Sequence, residues 1–116
     1  MELRIEALSA TVTRAAPVGR WDIVGAAAID LQLSAVAGSG RSVIIDLAEV
    51  AFLSSMGIRS IVLSAKAVAL RGARLALMSP DKNVEMVLTT TGIDGLIPIC
   101  HGIEAALAAI AALPPD

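Results

Sequence analysis

Two adjacent hydroxyls stand out in the run Phe52-Leu53-Ser54-Ser55-Met56-Gly57-Ile58-Arg59. The helical spacing of Ile58, Ile61, Val62, Ala65 and Val68 places both at the start of an amphipathic helix, where the first backbone N–H groups have no intrahelical partner. A serine at such a point can cap those donors with its own oxygen. It can also accept a phosphoryl group, because a helix N-terminus tolerates an added charge of about -1.5 to -2. Residue type and spacing leave both chemistries open for Ser54 and Ser55.

Other reactive residue types lack the company their chemistry requires. Asp46 ends the β-branched run Ser42-Val43-Ile44-Ile45-Asp46, the position from which a receiver-type domain accepts phosphate. That reaction needs an acidic pair after the first strand to hold magnesium and a lysine near the last strand. Here the first strand leads into Ala7-Leu8-Ser9, and Ile97-Pro98-Ile99 has no lysine beside it. Asp46 is therefore read as an acceptor that organises a loop. Cys100 and His101 combine nucleophile and base types, but neighbours at a strand end point apart and no third group orients them. With one cysteine and one histidine, neither a disulfide nor a zinc cluster is expected, so no metal or cofactor is assigned. Of Arg20, Arg59, Arg71 and Arg74, Arg59 lies one turn from Ser55 and is the candidate for an acidic partner. Trp21 is read as filling between the sheet and the first helix, Met56 as core packing, and Gly57 as a close approach at the helix start.

The elements that position these residues follow from periodicity. Leu3, Ile5 and Ala7 alternate with Glu2, Arg4 and Glu6, the pattern of an edge strand with one wet face. Thr11 to Arg20 predicts a second, irregular strand with Pro17 at a sheet margin. Asp22 caps a helix from Ile23 to Val36 with Ala26, Ile29, Leu33 and Val36 on one stripe, ended by Gly38-Ser39-Gly40. Ser42 to Leu47 reads as a central strand covered on both faces. A loop through Phe52 leads to a helix from Ser55 to Ala69, then a strand from Ala73 to Met78. Ser79-Pro80-Asp81 starts a helix over Val84, Val87 and Leu88, closed by Gly92. A last strand, Leu96 to Ile99, precedes a terminal helix from Ile103 to Leu113, finished by Pro114-Pro115. This order predicts an α/β fold: a mixed sheet of four to five strands with an antiparallel start and a mostly parallel core, interleaved with four helices.

Composition narrows the functional classes. A chain of 116 residues suits one domain over residues 1–116. Hydrophobic residues make up 56% of it and aromatics 2%, so the core is aliphatic and the chain is not disordered. Mean hydropathy is +0.78, but much of it is alanine and no apolar run nears the roughly 18 to 20 residues of a membrane span. Membrane insertion is not expected. A net charge of -2 lacks the basic excess that binding a phosphate backbone needs, which argues against nucleic acid. The alternating N-terminus is unlike a signal peptide, and a cytoplasmic location is expected.

Several of these segments, in order, resemble the STAS domain family. Val18-Gly19-Arg20-Trp21-Asp22 is similar to its Gly-Arg-Leu-Asp turn. Val43-Ile44-Ile45-Asp46-Leu47 with Phe52 to Arg59 resembles its core signature. Arg71 to Leu77 resembles its helix-to-strand joint, and Val87 to Asp94 its Leu-x-x-x-Gly-Leu segment. The resemblance implies a STAS-like sheet and a stand-alone anti-sigma factor antagonist that works by partner switching. In that family the unphosphorylated antagonist binds an anti-sigma factor that is also a GHKL-type serine kinase, freeing a sigma factor. Phosphorylation separates the pair, and a PP2C-type phosphatase restores it. ATP and its metal belong to the kinase, and the antagonist itself is not an enzyme.

The family motif reads Phe-x-Asp-Ser-Ser/Thr-Gly with phosphate on the second hydroxyl. Aligned on Phe52 and Gly57, Ser54 replaces the Asp and Met56 replaces the acceptor, so Ser55 becomes the expected phosphorylation site and Ser54 the second choice. The implied partner surface is Phe52, Leu53, Ser54, Ser55, Met56 and Gly57, with Arg59. The alternative is a constitutive STAS scaffold in a membrane transport complex, in which Ser55 only caps its helix. Nucleotide binding by the domain itself has no phosphate-binding glycine loop to support it.

Overall fold

The computed structural model describes residues 1–112. In chain order its elements are β1 (Glu2–Ala7), β2 (Val12–Trp21), α1 (Ile23–Ala37), β3 (Ser42–Asp46), β4 (Val50–Leu53), α2 (Ser55–Leu70), β5 (Leu75–Met78), α3 (Lys82–Thr90), a 3-10 turn (Ile93–Gly95), β6 (Ile99–Cys100) and α4 (Ile103–Ala111). The strands form one six-stranded sheet in the order β1-β2-β3-β5-β6, with β4 alongside β2. Only the β1–β2 pair is antiparallel. The α/β class, the edge position of β1 and the parallel core agree with the sequence pattern.

β3 alternates between two cores because its successive side chains leave opposite faces of the sheet. Val43 and Ile45, with Leu47 just past the strand end, join the larger core with Trp21, Ile29, Leu33, Ile61 and Leu88, beneath α1, α2 and α3. Ile44 joins Ala76, Met78, Cys100, Ala106 and Ile110 beneath α4. Continuous hydrophobicity in β3 and β5 reflects this double coverage.

Three boundaries differ from the sequence expectation, each for a local reason. The stretch expected as a loop through Phe52 is strand β4, and its four residues are too few for a periodic signal. Pro17 sits inside β2, paired with Leu3 on β1, at the point where the other edge of β2 changes partner: Val12–Ala15 pair with β3 and Gly19–Trp21 with β4. A residue without an N–H is tolerated at that changeover. The last strand begins at Ile99, not Leu96. Pro98 lacks a donor and contributes only its carbonyl, which accepts from Leu77 N at 2.9 Å. The Pro114-Pro115 stop and Leu113 lie outside the described residues.

Helix starts follow their caps. Asp22 Oδ1 accepts from Gly25 N at 2.8 Å, and Asp81 Oδ1 from Val84 N at 2.8 Å. The bond from Gly25 holds the Asp22 carboxyl below its ordinary range. A Cβ at Gly25 would lie 2.2 Å from the Arg20 carbonyl oxygen, so only glycine lets α1 begin against the end of β2.

Candidate functional site

β2 and β4 run parallel and end together: Arg20 pairs with Phe52 and Trp21 with Leu53. Each strand turns directly into a helix, so the starts of α1 and α2 lie side by side, capped by Asp22 and Ser54. The turn is fastened by two bonds to one acceptor. Ser54 N donates to the Trp21 carbonyl at 3.0 Å, and Ser54 Oγ donates to it at 2.8 Å. The same Oγ accepts from Gly57 N at 3.4 Å, capping α2.

The two serines therefore have different employment. Ser54 is half-buried, with its hydroxyl committed both as donor and as acceptor. Ser55, the first residue of α2, is exposed, and its hydroxyl bonds to nothing among the described residues. Ser54, not Ser55, is the N-cap.

Gly57 sets how close α2 approaches. A Cβ there would lie 2.6 Å from Leu53 Cδ1, 2.9 Å from Trp21 Cγ and 3.0 Å from the Trp21 carbonyl oxygen. Trp21 is fully buried and belongs to the core, as its sequence position suggested. Leu53 and Gly57 are also buried, so they shape the site from beneath, while Met56 packs half-buried against the core. The outer surface is left to Phe52, Ser55 and Arg59. Phe52 is 40% exposed, and the Arg20 guanidinium lies over its ring, 4.3 Å from the centroid. Arg20 Nε is also 3.7 Å from Asp22 Oδ2. No acidic residue occupies the first turn of α2. An anion at Ser55 would thus meet free N–H groups at the start of α2, with no carboxylate in that helix's own first turn.

The family model of the STAS domain matches residues 16–106. The chain belongs to the STAS domain family.

Solved structures share its architecture. An anti-sigma-factor antagonist domain protein from Planctomyces limnophilus superposes with a TM-score of 0.81 at 26% identity, covering 95% of this chain and 98% of that one. An anti-sigma factor antagonist from Mycobacterium paratuberculosis gives 0.85 at 21% identity, covering 96% and 94%. The Bacillus cell fate determinant SpoIIAA in its phosphorylated form gives 0.70 at 16% identity, covering 92% and 97%. No curated protein matches the chain.

Within this STAS domain the remaining reactive residues serve the fold. Asp46 is 5% exposed. Its Oδ1 accepts from Ala48 N at 3.0 Å, the loop-organising role expected, and its Oδ2 accepts from Arg14 Nε at 3.0 Å and from Arg14 Nη2. The bond to Asp46 raises the Arg14 pKa, keeping the guanidinium charged. Arg14 was missed on sequence because its partner is 32 positions away. Cys100 packs under α4, where burial pushes its thiol pKa up. His101 turns outward to the Glu85 carboxylate at 3.0 Å. The two do not form a nucleophile and base. Arg71 and Arg74 lie at the far end of α2, away from Ser55. Among the described residues, no helix is long and apolar enough to cross a membrane.

Proposed function

We propose that this STAS domain is an anti-sigma factor antagonist working by partner switching, with Ser55 as the switch. Its own chemistry is to be a substrate, not a catalyst. The unmodified surface of Phe52, Ser55 and Arg59, shaped by Leu53, Ser54, Met56 and Gly57, docks on an anti-sigma factor that is also a GHKL-type serine kinase. That kinase transfers the γ-phosphoryl group of ATP to Ser55 Oγ, the hydroxyl proton passes to a base on the kinase, and ADP leaves. A PP2C-type phosphatase hydrolyses the phosphoserine and resets the switch. Sigma-factor-dependent transcription is the output.

The observation that carries this reading is the division of labour between the serines. The fold consumes Ser54 and leaves Ser55 exposed at a helix N-terminus that accepts negative charge. Structural kinship with antagonists, one of them solved in a phosphorylated form, supports it. Loss of the family's Asp at position 54 removes a carboxylate that would repel the phosphate.

Incubation with the cognate kinase and ATP, followed by mass-spectrometric mapping, tests the proposal. The expected result is a single phosphate on Ser55 and none on the Ser55→Ala variant. Phosphate confined to Ser54 or another residue, or none at all, overturns the switch and leaves a constitutive docking module.

A further inference from the structure

Strand β1 lies at one margin of the sheet, with β2 on one side and no strand on the other. Its six residues contain no proline, pair with β2 in unbroken register and are exposed except for Leu3. The opposite margin, β6, has two residues. An open edge as long as β1 presents a row of free backbone donors and acceptors, a template for a further strand.

The ladder shows which groups face outward. Leu8 N donates to the Val12 carbonyl at 2.9 Å, directed toward β2. On the far side of β2, Ser42 N donates to the Thr11 carbonyl at 2.9 Å and Gly19 N to the Glu49 carbonyl at 3.0 Å, so the odd-numbered residues of β2 address β3 and β4. Its even-numbered residues address β1, where Val18 pairs with Glu2, Ala16 with Arg4 and Arg14 with Glu6. The N–H and C=O groups of Leu3, Ile5 and Ala7 therefore point away from the sheet.

Side chains add a pattern of charge to this edge. Glu2, Arg4 and Glu6 share one face of the strand. Arg4 Nη1 donates to Glu49 Oε2 at 3.3 Å, and Glu6 Oε1 lies 3.8 Å from Arg14 Nη1. On the other face Leu3 is buried, while Ile5 is 50% exposed.

We infer that β1 pairs antiparallel with β1 of a second copy, about a two-fold axis normal to the sheet at Ile5. In this register Ile5 faces Ile5 and Leu3 faces Ala7 on either side, and these are the residues whose backbone groups point outward. Three opposed pairs each exchange two bonds, about six in all. Arg4 of each copy faces Glu6 of the other, which joins Arg14 and Glu6 of one copy to Arg4 and Glu49 of the other in a row of alternating charge, formed twice. Such self-complementarity is the signature of an isologous interface. Moving the axis to Arg4 sets Arg4 on Arg4 and Glu2 on Glu6, which repel. Moving it to Leu3 restores opposite charges, Glu2 on Arg4, but shortens the overlap to the stretch from Met1 to Ile5. Charge and length together select Ile5 as the centre.

The contact is short for a specific interface, so the expected state is a monomer–dimer equilibrium in the micromolar to millimolar range. It involves neither Ser55 nor α2, and the inference does not rest on the phosphorylation switch.

Sedimentation velocity of the full chain across that concentration range provides the test. The parent is expected to dimerise. Arg4→Glu and Glu6→Arg, both at exposed positions, should each weaken dimerisation at least about tenfold, because each sets like charges opposite one another at two places. An equimolar mixture of the two variants should dimerise to within about threefold of the parent, since every opposed pair in the mixed dimer again joins Arg to Glu. A parent that stays monomeric to millimolar concentration overturns the inference and leaves the edge to a strand of a different protein. A dimer indifferent to Glu6→Arg also overturns it, as the Leu3-centred register would give that result. So does a mixture that stays monomeric.

Discussion

Ser55→Asp is expected to lower affinity for the anti-sigma partner at least about a hundredfold while leaving the fold intact. The substitution places a carboxylate on the first residue of α2, an exposed position where a negative charge faces free N–H groups. The domain itself gains slightly from that charge at the helix N-terminus. The cost falls on the complex, where the charge is desolvated beside Phe52, and a hundredfold loss corresponds to about 2.7 kcal/mol, within reach of one unpaired buried charge. Ser55→Ala removes no hydrogen bond formed within the described residues and should bind like the parent while refusing phosphate. Ser54→Ala should behave oppositely. It deletes the cap to Gly57 and the bond to the Trp21 carbonyl, costing about 1 kcal/mol and lowering Tm by about 4 °C, yet the variant remains a kinase substrate. Calorimetric titration and thermal melts of the three variants separate the two serines.

Gly57→Ala is expected to destabilise the domain by about 1–3 kcal/mol, the range for forcing a methyl group into a packed site. Its Cβ would meet the Leu53 side chain, the Trp21 ring and the Trp21 carbonyl together, and only the leucine end can yield cheaply. The start of α2 must then move off β2, carrying Ser55 with it. Trp21 is the lone tryptophan and the chain has no tyrosine, so its emission reads this displacement directly. Gly95→Ala is the control: a Cβ there meets nothing within 4 Å, and its Tm should stay close to that of the parent. Equal melting temperatures for the two variants would mean that the close approach at Gly57 does not constrain the site.

What could be read from the amino-acid sequence follows the reach of each physical signal. Ser42 to Leu47 declares itself because a doubly covered strand needs an unbroken β-branched run, and α1 and α3 because Asp22 and Asp81 precede periodic segments. Strand β4 is silent: four residues joined to β3 by a short turn carry no periodicity, and its existence depends on the far edge of β2. That silence hid the stacking of Arg20 on Phe52, which requires the two strands to be neighbours. The pattern Ser54-Ser55 announces a helix start but cannot say which serine is the cap. The answer comes from the carbonyl of Trp21, 33 positions earlier, which captures Ser54. Ser60 and Ser64 read as polar breaks in an apolar stripe, yet both are buried, satisfied by Asp30 and by carbonyls one turn back. Buried polar groups of this kind are legible only once their acceptors are placed.

The most direct measurement is a paired titration of the anti-sigma partner with the unmodified chain and with chain phosphorylated stoichiometrically at Ser55. The account predicts that the phosphorylated form binds at least about a hundredfold more weakly and that phosphatase treatment restores the original affinity. Equal affinity of the two forms would contradict it.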